Sequence, residues 1–445
     1  MNPPSSNPIP AAQERPSPRH TELGDPARGR WMPRFTLPPG RLLLWSDRSF
    51  VAFLGLGFVI APEPSWAFWF YALVMPFGAW FLYQGWRPDW RDGRLALLLG
   101  LILWSTLTIA WADQPQPPVS KQILWAFNGL CTAAFLLTLT MVAEQSTRMR
   151  DRMVTVIVCC ATGNALFSVV RFVSRQGGWD RLEGWGETRN AILGAFIIGV
   201  CSILALGRSL RRERFWPLWL VPIPLFLAFT VMTDSRGPLI AVVLSALLVL
   251  PRWSRRTYLL GLAALIAAAV GTVTLAPDLV HAAFERLAQR GTSYRLDIWH
   301  ASIEAILQRP IIGHGMTATV QMKGDFGHHP HDLYLSALFY SGAVGLLLLL
   351  GGLGWIFRDV LRTPVSAERQ TCLALLVHLV LSGATDLSQI TKGPGELWYI
   401  VWLPLGYALG YLRDPALSAQ RRERINPNAC ATVAARTAPR SPGNT

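Results

Sequence analysis

Apolar residues run along this chain in long blocks, and short polar stretches rich in arginine, proline and glycine separate them. A helix needs about 20 apolar residues to cross a bilayer. Blocks of that kind predict spans over 49–62, 65–84, 94–112, 121–143, 153–173, 190–207, 215–232, 237–250, 257–276, 331–357, 370–386 and 395–413. The pattern is that of an all-α polytopic membrane protein with about twelve transmembrane helices, the eighth of them short. Residues 1–40 and 414–445, rich in Pro, Arg, Ser and Ala, read as disordered tails around a transmembrane domain over 41–413. No short basic region leads into the first block as it would in a cleavable signal, so that span is expected to remain in the mature protein.

Loop charge sets the orientation. Every second loop is basic, as in Arg87–Arg94, Arg148–Arg152, Arg208–Arg214, Arg252–Arg256 and Arg358–Arg369, which puts those loops and both termini in the cytoplasm. The translocated loops are mostly free of basic residues, with three exceptions. One is 171–189, with Arg171, Arg175, Arg181 and Arg189; another is TDSRG, with Arg236. The third is 277–330, with Arg286, Arg290, Arg295, Arg309 and Lys323. Positive charge there works against the orientation signal, so it points to a polyanionic ligand at the periplasmic face. Taken singly, Arg171, Arg181, Arg286 and Arg309 are read as plain surface cations.

The stretch 277–330 is too long for a simple connection between helices. Residues 279–290 have helical periodicity, and a second segment from about 293 sets Leu296, Trp299, Ile303 and Ile306 on one stripe. QRPIIGHG ends that segment, because Pro310 disfavours helix at Arg309 and Gly313 and Gly315 allow a tight turn. Two amphipathic helices on the outer leaflet would form a lid beside a membrane cavity.

Composition narrows the function. The chain is 51% hydrophobic and 15% charged, and its formal charge of +14 is scattered over short loops, which argues against a nucleic-acid partner. Of six cysteines, five sit in apolar runs, with neither a disulfide framework nor a metal-ligand spacing. A zinc site from His328, His329 and His331 lacks the i, i+4 spacing of a helical pair and an evident acidic ligand.

Three residues stand out as candidate chemistry. Arg236 lies between the seventh and eighth spans, where a charge near membrane depth is functional by default, although Asp234 offers it a structural ion pair. Arg295 falls in the first turn of the second loop helix, where a cation opposes the helix dipole unless an anion binds beside it. His331 opens the tenth span behind Pro330, with Asp332 in the first turn, and the positive end of that helix favours a neutral imidazole able to accept a proton. Two cations able to grip a diphosphate and one base able to activate a hydroxyl suit glycosyl transfer from a polyprenyl diphosphate.

DSRGPLI, SYRLDIWHASIEAILQRPIIGHGM and HPHDLYLSALFYSGAVGLLLLL, in that order, resemble the O-antigen ligase and polymerase superfamily. The resemblance implies a GT-C-type glycosyltransferase fold with a large helical periplasmic loop between spans nine and ten. It also implies a ligase of the bacterial inner membrane that needs no cofactor, metal or ATP. The donor would be an undecaprenyl diphosphate-linked glycan and the acceptor a sugar hydroxyl of the lipid A core. By the same resemblance Arg236 and Arg295 would hold the diphosphate and His331 would be the general base. Arg175, Arg189, Arg290 and Asp332 are secondary candidates for contact with substrate; Asp332 stands where the family usually has asparagine. An O-antigen polymerase or a protein O-oligosaccharyltransferase shares these motifs. A secondary transporter of an anion is the alternative of another class, but it would show related halves and a midplane site.

Overall fold

A computed structural model describes residues 39–60, 63–83, 91–112, 118–174, 181–249, 295–322 and 329–417. The described residues from Leu43 onward pack as one unit; of residues 1–42 only the start of the first helix is described. The described residues are helical, apart from turns and short extended segments. In chain order, α1 is Pro39–Leu56, α2 Glu63–Trp69 and α3 Met75–Tyr83, the last two joined by a π turn. Then come α4 Gly93–Leu107, α5 Val119–Glu144, α6 Thr147–Ser174, α7 Ala191–Ser209, α8 Pro222–Met232 and α9 Arg236–Val249. The rest are α10 Arg295–Gln308, α11 Leu333–Leu361, α12 Ala367–Asp386 and α13 Leu403–Arg413, the last following a π turn over Trp398–Trp402.

Five described segments are long and apolar enough to cross a membrane: Gly93–Trp111, Val119–Glu144, Thr147–Ser174, Ala191–Ser209 and Leu333–Leu361. They suit a polytopic membrane protein. The predicted ninth span, 257–276, and the predicted helix 279–290 lie outside the described residues. The first predicted span, 49–62, is displaced: its helix begins at Pro39 and ends at Leu56. Beyond it Gly57 sits so close to Tyr399 that a Cβ there would lie 2.3 Å from the hydroxyl.

Of the five long apolar segments, helix α7 is the most enclosed, flanked by α6, α8, α9 and α12. Small residues let its neighbours approach: Gly199 faces His378 and Gly207 faces Thr371. These two pairs run α7 antiparallel to α12, so the start of α7 lies at the Asp386 end of α12. Gly237 against Thr385 brings the start of α9 to the same end, and Gly383 against Leu333 brings the start of α11 there too. An aromatic cluster fills the other side of the core, with Phe53 stacked on Trp66 at 4.5 Å and Phe135 on Trp398 at 4.3 Å.

Helix α11 is broken at Gly342, where φ is 66° and ψ is −169°. The carbonyls stranded at the end of its first half accept from the backbone of the 310–315 loop: His314 N–H donates to Phe339 O at 2.7 Å and Gly315 N–H to Tyr340 O at 3.0 Å. Ala343 N–H, at the start of the second half, donates to Pro310 O at 2.8 Å. Breaks of this kind survive in lipid when protein satisfies the freed groups. QRPIIGHG therefore does more than end a helix: it stitches another one together. No side chain fits at the break, since a Cβ on Gly342 would lie 2.1 Å from Ile311 O.

Two sequence expectations are corrected here. His331 does not open the helix, and Asp332 is not in its first turn. Asp332 is the N-cap of α11, its Oδ1 accepting from the backbone N–H of Tyr334 at 2.9 Å and of Leu335 at 2.8 Å, and His331 precedes it with a φ of 52°. On α10 the buried face is Ile298, Ser302 and Ile306, whereas Leu296 and Ile303 are exposed. The expected stripe holds at Ile306, which packs with Phe339 and Tyr340 of α11, but towards the start of the helix Ile298 and Ser302 are buried where Trp299 and Ile303 were expected.

Candidate active site

Where α9, α10, α11 and α12 meet, the carboxylate of Asp386 joins two of the candidate residues. His331 Nδ1–H donates to Asp386 Oδ1 at 2.6 Å, and Arg295 Nη2 lies 3.1 Å from Asp386 Oδ2. Arg295 Nη1 also donates to the Thr385 carbonyl at 2.8 Å, one of the carbonyls left over at the end of α12, where a cation is favoured. The carboxylate is 8% exposed, while the side chains of His331 and Arg295 remain 30% and 35% exposed. A nearly buried acid thus holds two groups that open to the surroundings.

The carboxylate also fixes the imidazole tautomer. With Nδ1 donating to Asp386, Nε2 is the nitrogen that accepts a proton. The residues around His331 hold it in an uncommon backbone conformation. Trp299 of α10 donates its indole N–H to Pro330 O at 3.0 Å, Asp332 caps α11, and Tyr334 donates its hydroxyl to Val380 O at 3.0 Å. The ring of His329 lies 3.8 Å from that of His331. A non-glycine residue at positive φ persists only when its surroundings over-determine it.

Arg236 is the first residue of α9 and is exposed, next to Gly237, whose Cα packs on Thr385. It therefore emerges beside the α12 end that carries Asp386. Arg189, also exposed, directly precedes the Asn190 cap of α7 at the same end of the bundle. Asp332 is buried and engaged as a helix cap. Arg175 and Arg290 lie outside the described residues. Arg181 and Arg171, read from sequence as plain surface cations, are both bonded to backbone carbonyls: Arg181 to Thr233 and Arg171 to Glu183.

Asp386 itself was not singled out from sequence. It ends an apolar block, where an acidic residue reads as a boundary, and it meets His331 across 55 residues of chain.

The O-antigen ligase family model matches residues 223–350, a stretch that holds Arg236, Arg295, His331 and Asp332. A curated O-antigen ligase of Pseudomonas aeruginosa (strain PAO1) is 27% identical over 252 residues, covering 55% of this chain and 61% of that protein. These matches bear out the resemblance to the O-antigen ligase superfamily. The chain thus spans about three-fifths of the length of the curated O-antigen ligase it matches. A chain from a solved structure described as "Structural coordination of polymerization and crosslinking by a peptidoglycan synthase complex" aligns over 73% of this chain and 97% of that one. Its identity is 16% and its TM-score 0.42, a likeness that carries no weight here. The segment shared with the O-antigen ligase family stops short of Asp386, which the fold brings back to it.

Proposed function

We propose that this chain is an O-antigen ligase of the GT-C type, which transfers a glycan from undecaprenyl diphosphate to a hydroxyl of the lipid A core at the periplasmic face of the inner membrane. The observation that carries this is the single carboxylate of Asp386 bonded to both His331 and Arg295. A base with a fixed tautomer beside a cation suits glycosyl transfer to a hydroxyl, the base taking the hydroxyl proton and the cation meeting the charge on the leaving diphosphate.

In the reaction, Nε2 of His331 takes the proton of the acceptor hydroxyl as its oxygen attacks the anomeric carbon. The bond from that carbon to the diphosphate oxygen breaks, and undecaprenyl diphosphate leaves with the electron pair. Arg236 and Arg295 meet the charge that develops on it. Asp386 stabilises the imidazolium that forms. Direct displacement inverts the anomeric configuration. The driving force lies in the sugar–diphosphate bond, so the proposal needs neither nucleotide nor metal.

The test is a gel of lipopolysaccharide from the native host with the gene deleted, then restored as wild type or as His331→Ala, beside an assay of polyprenyl-linked glycan. Bare core with accumulated lipid-linked polymer, restored to a ladder by wild type alone, is expected. Core carrying one repeat unit would mean a polymerase, and an unchanged ladder would overturn ligation.

A further inference from the structure

We infer that Arg181 is a positioning residue for Arg236, acting through the turn that joins α8 to α9. The inference rests on the ligase proposal, in which Arg236 binds the donor diphosphate. Arg181 lies outside the segment that matches the O-antigen ligase family.

The geometry is specific. Residues 181–182 dock along the end of α8, where Leu182 N–H donates to Met232 O at 3.0 Å. Arg181 then reaches across the turn with both arms of its guanidinium: Nε donates to Thr233 O at 3.0 Å and Nη2 to Ser235 Oγ at 2.7 Å. Those two acceptors are buried and flank Asp234, whose φ is 50°. Ser235 also donates its hydroxyl to Thr233 O at 3.1 Å, so carbonyl, hydroxyl and guanidinium close a small network around a strained residue. The next residue is Arg236, the start of α9.

A cation capping the α8 C-terminus would need only the bond to Thr233 O. The second bond goes past the cap to the residue adjoining Arg236. Spanning two acceptors on either side of one residue calls for a planar fork, which arginine has and lysine lacks. Arg181 thereby fixes the direction in which α9 begins, and with it where the Arg236 guanidinium stands relative to Asp386 and Arg295. A misplacement of about 1 Å far from the chemistry can cost as much as 10²-fold.

Steady-state kinetics of the full-length protein in proteoliposomes, with a lipid-linked glycan donor and core-only lipopolysaccharide as acceptor, tests this. The set is wild type, Arg181→Ala, Arg181→Lys, Arg236→Ala and Arg181→Ala with Arg236→Ala. Arg181→Ala should raise the donor KM roughly tenfold and change the acceptor KM by less than about twofold. Lysine should recover thermal stability but not donor KM, whereas full recovery by lysine would reduce Arg181 to a helix cap and overturn the inference. In the Arg236→Ala background the loss of Arg181 should add nothing to donor KM. A penalty that multiplies in full there, or a wild-type donor KM in Arg181→Ala, also overturns it. If Arg181→Ala does not fold, Ser235→Ala removes only the second acceptor and should raise the donor KM about threefold; no rise counts against the inference. An Arg236→Ala enzyme with unchanged donor KM would instead overturn the role proposed for Arg236, a failure distinct from that of Arg181.

Discussion

The two ends of α12 use the same chemistry, a carboxylate beside guanidinium, to opposite effect. At the Glu368 end, Arg150 is 1% exposed and is sealed between Glu368 and Asp414, with the Asp414 contact at 2.6 Å and the Ala143 carbonyl also at 2.6 Å. Arg211 pairs with Asp151 at 2.5 Å beside it. At the Asp386 end the acid is nearly buried but its partners, His331 and Arg295, are about one-third exposed. A sealed network can only hold helices together. An acid whose partners stay open can position a base and a cation for a ligand.

That contrast predicts a separation of stability from activity. The largest effect is expected for Asp386→Asn, which keeps the shape of the side chain but removes the charge that orients and stabilises His331. Transfer should fall by about 10² to 10⁴, while the thermal midpoint, read by intrinsic tryptophan fluorescence in detergent, stays close to wild type. Glu368→Ala should do the reverse. It leaves a buried guanidinium under-compensated, so unfolding should become easier by about 3 to 5 kcal/mol, with the rate per folded molecule unchanged.

Smaller effects sharpen the Asp386 end. Arg295→Lys should weaken donor binding by about tenfold, because an ammonium cannot serve Asp386 and the Thr385 carbonyl as a fork does; a donor titration at fixed acceptor measures it. Smallest is the effect at Asp332. Asp332→Ala should cost about 1 kcal/mol of stability through the lost cap, and Asp332→Asn almost nothing, since asparagine caps as well as aspartate. Transfer by Asp332→Asn at wild-type rate would also account for the asparagine usual in the family. A large loss of activity in that variant would instead give the Asp332 charge a role in substrate binding.

Much of the helix pattern was legible in the sequence because lipid imposes a period-free apolar block. The blocks at 94–112, 121–143, 153–173 and 190–207 correspond to α4 to α7 within a few residues. Arg236, Arg295 and His331 stand out in the sequence because each is a titratable group where membrane helices begin or a loop helix starts, and the fold brings His331 and Arg295 onto one carboxylate. What escaped depends on contacts between distant segments. Nothing local marks Asp386 as the partner of His331, nor Gly342 as a break, since a glycine inside an apolar block also serves close helix packing. Arg181 read as surface because its acceptors, Thr233 and Ser235, come from a turn about fifty residues further on. Asp332 read as a residue of the first turn instead of the cap because His331, at a φ of 52°, keeps the helix from starting before Leu333.

The most direct test of the account compares Asp386→Asn with Glu368→Ala in one assay: transfer of lipid-linked glycan to core-only lipopolysaccharide by purified protein, normalised to the folded fraction. The account predicts that Asp386→Asn is folded and nearly inactive while Glu368→Ala is less stable and fully active per folded molecule. Near wild-type transfer by Asp386→Asn would contradict it.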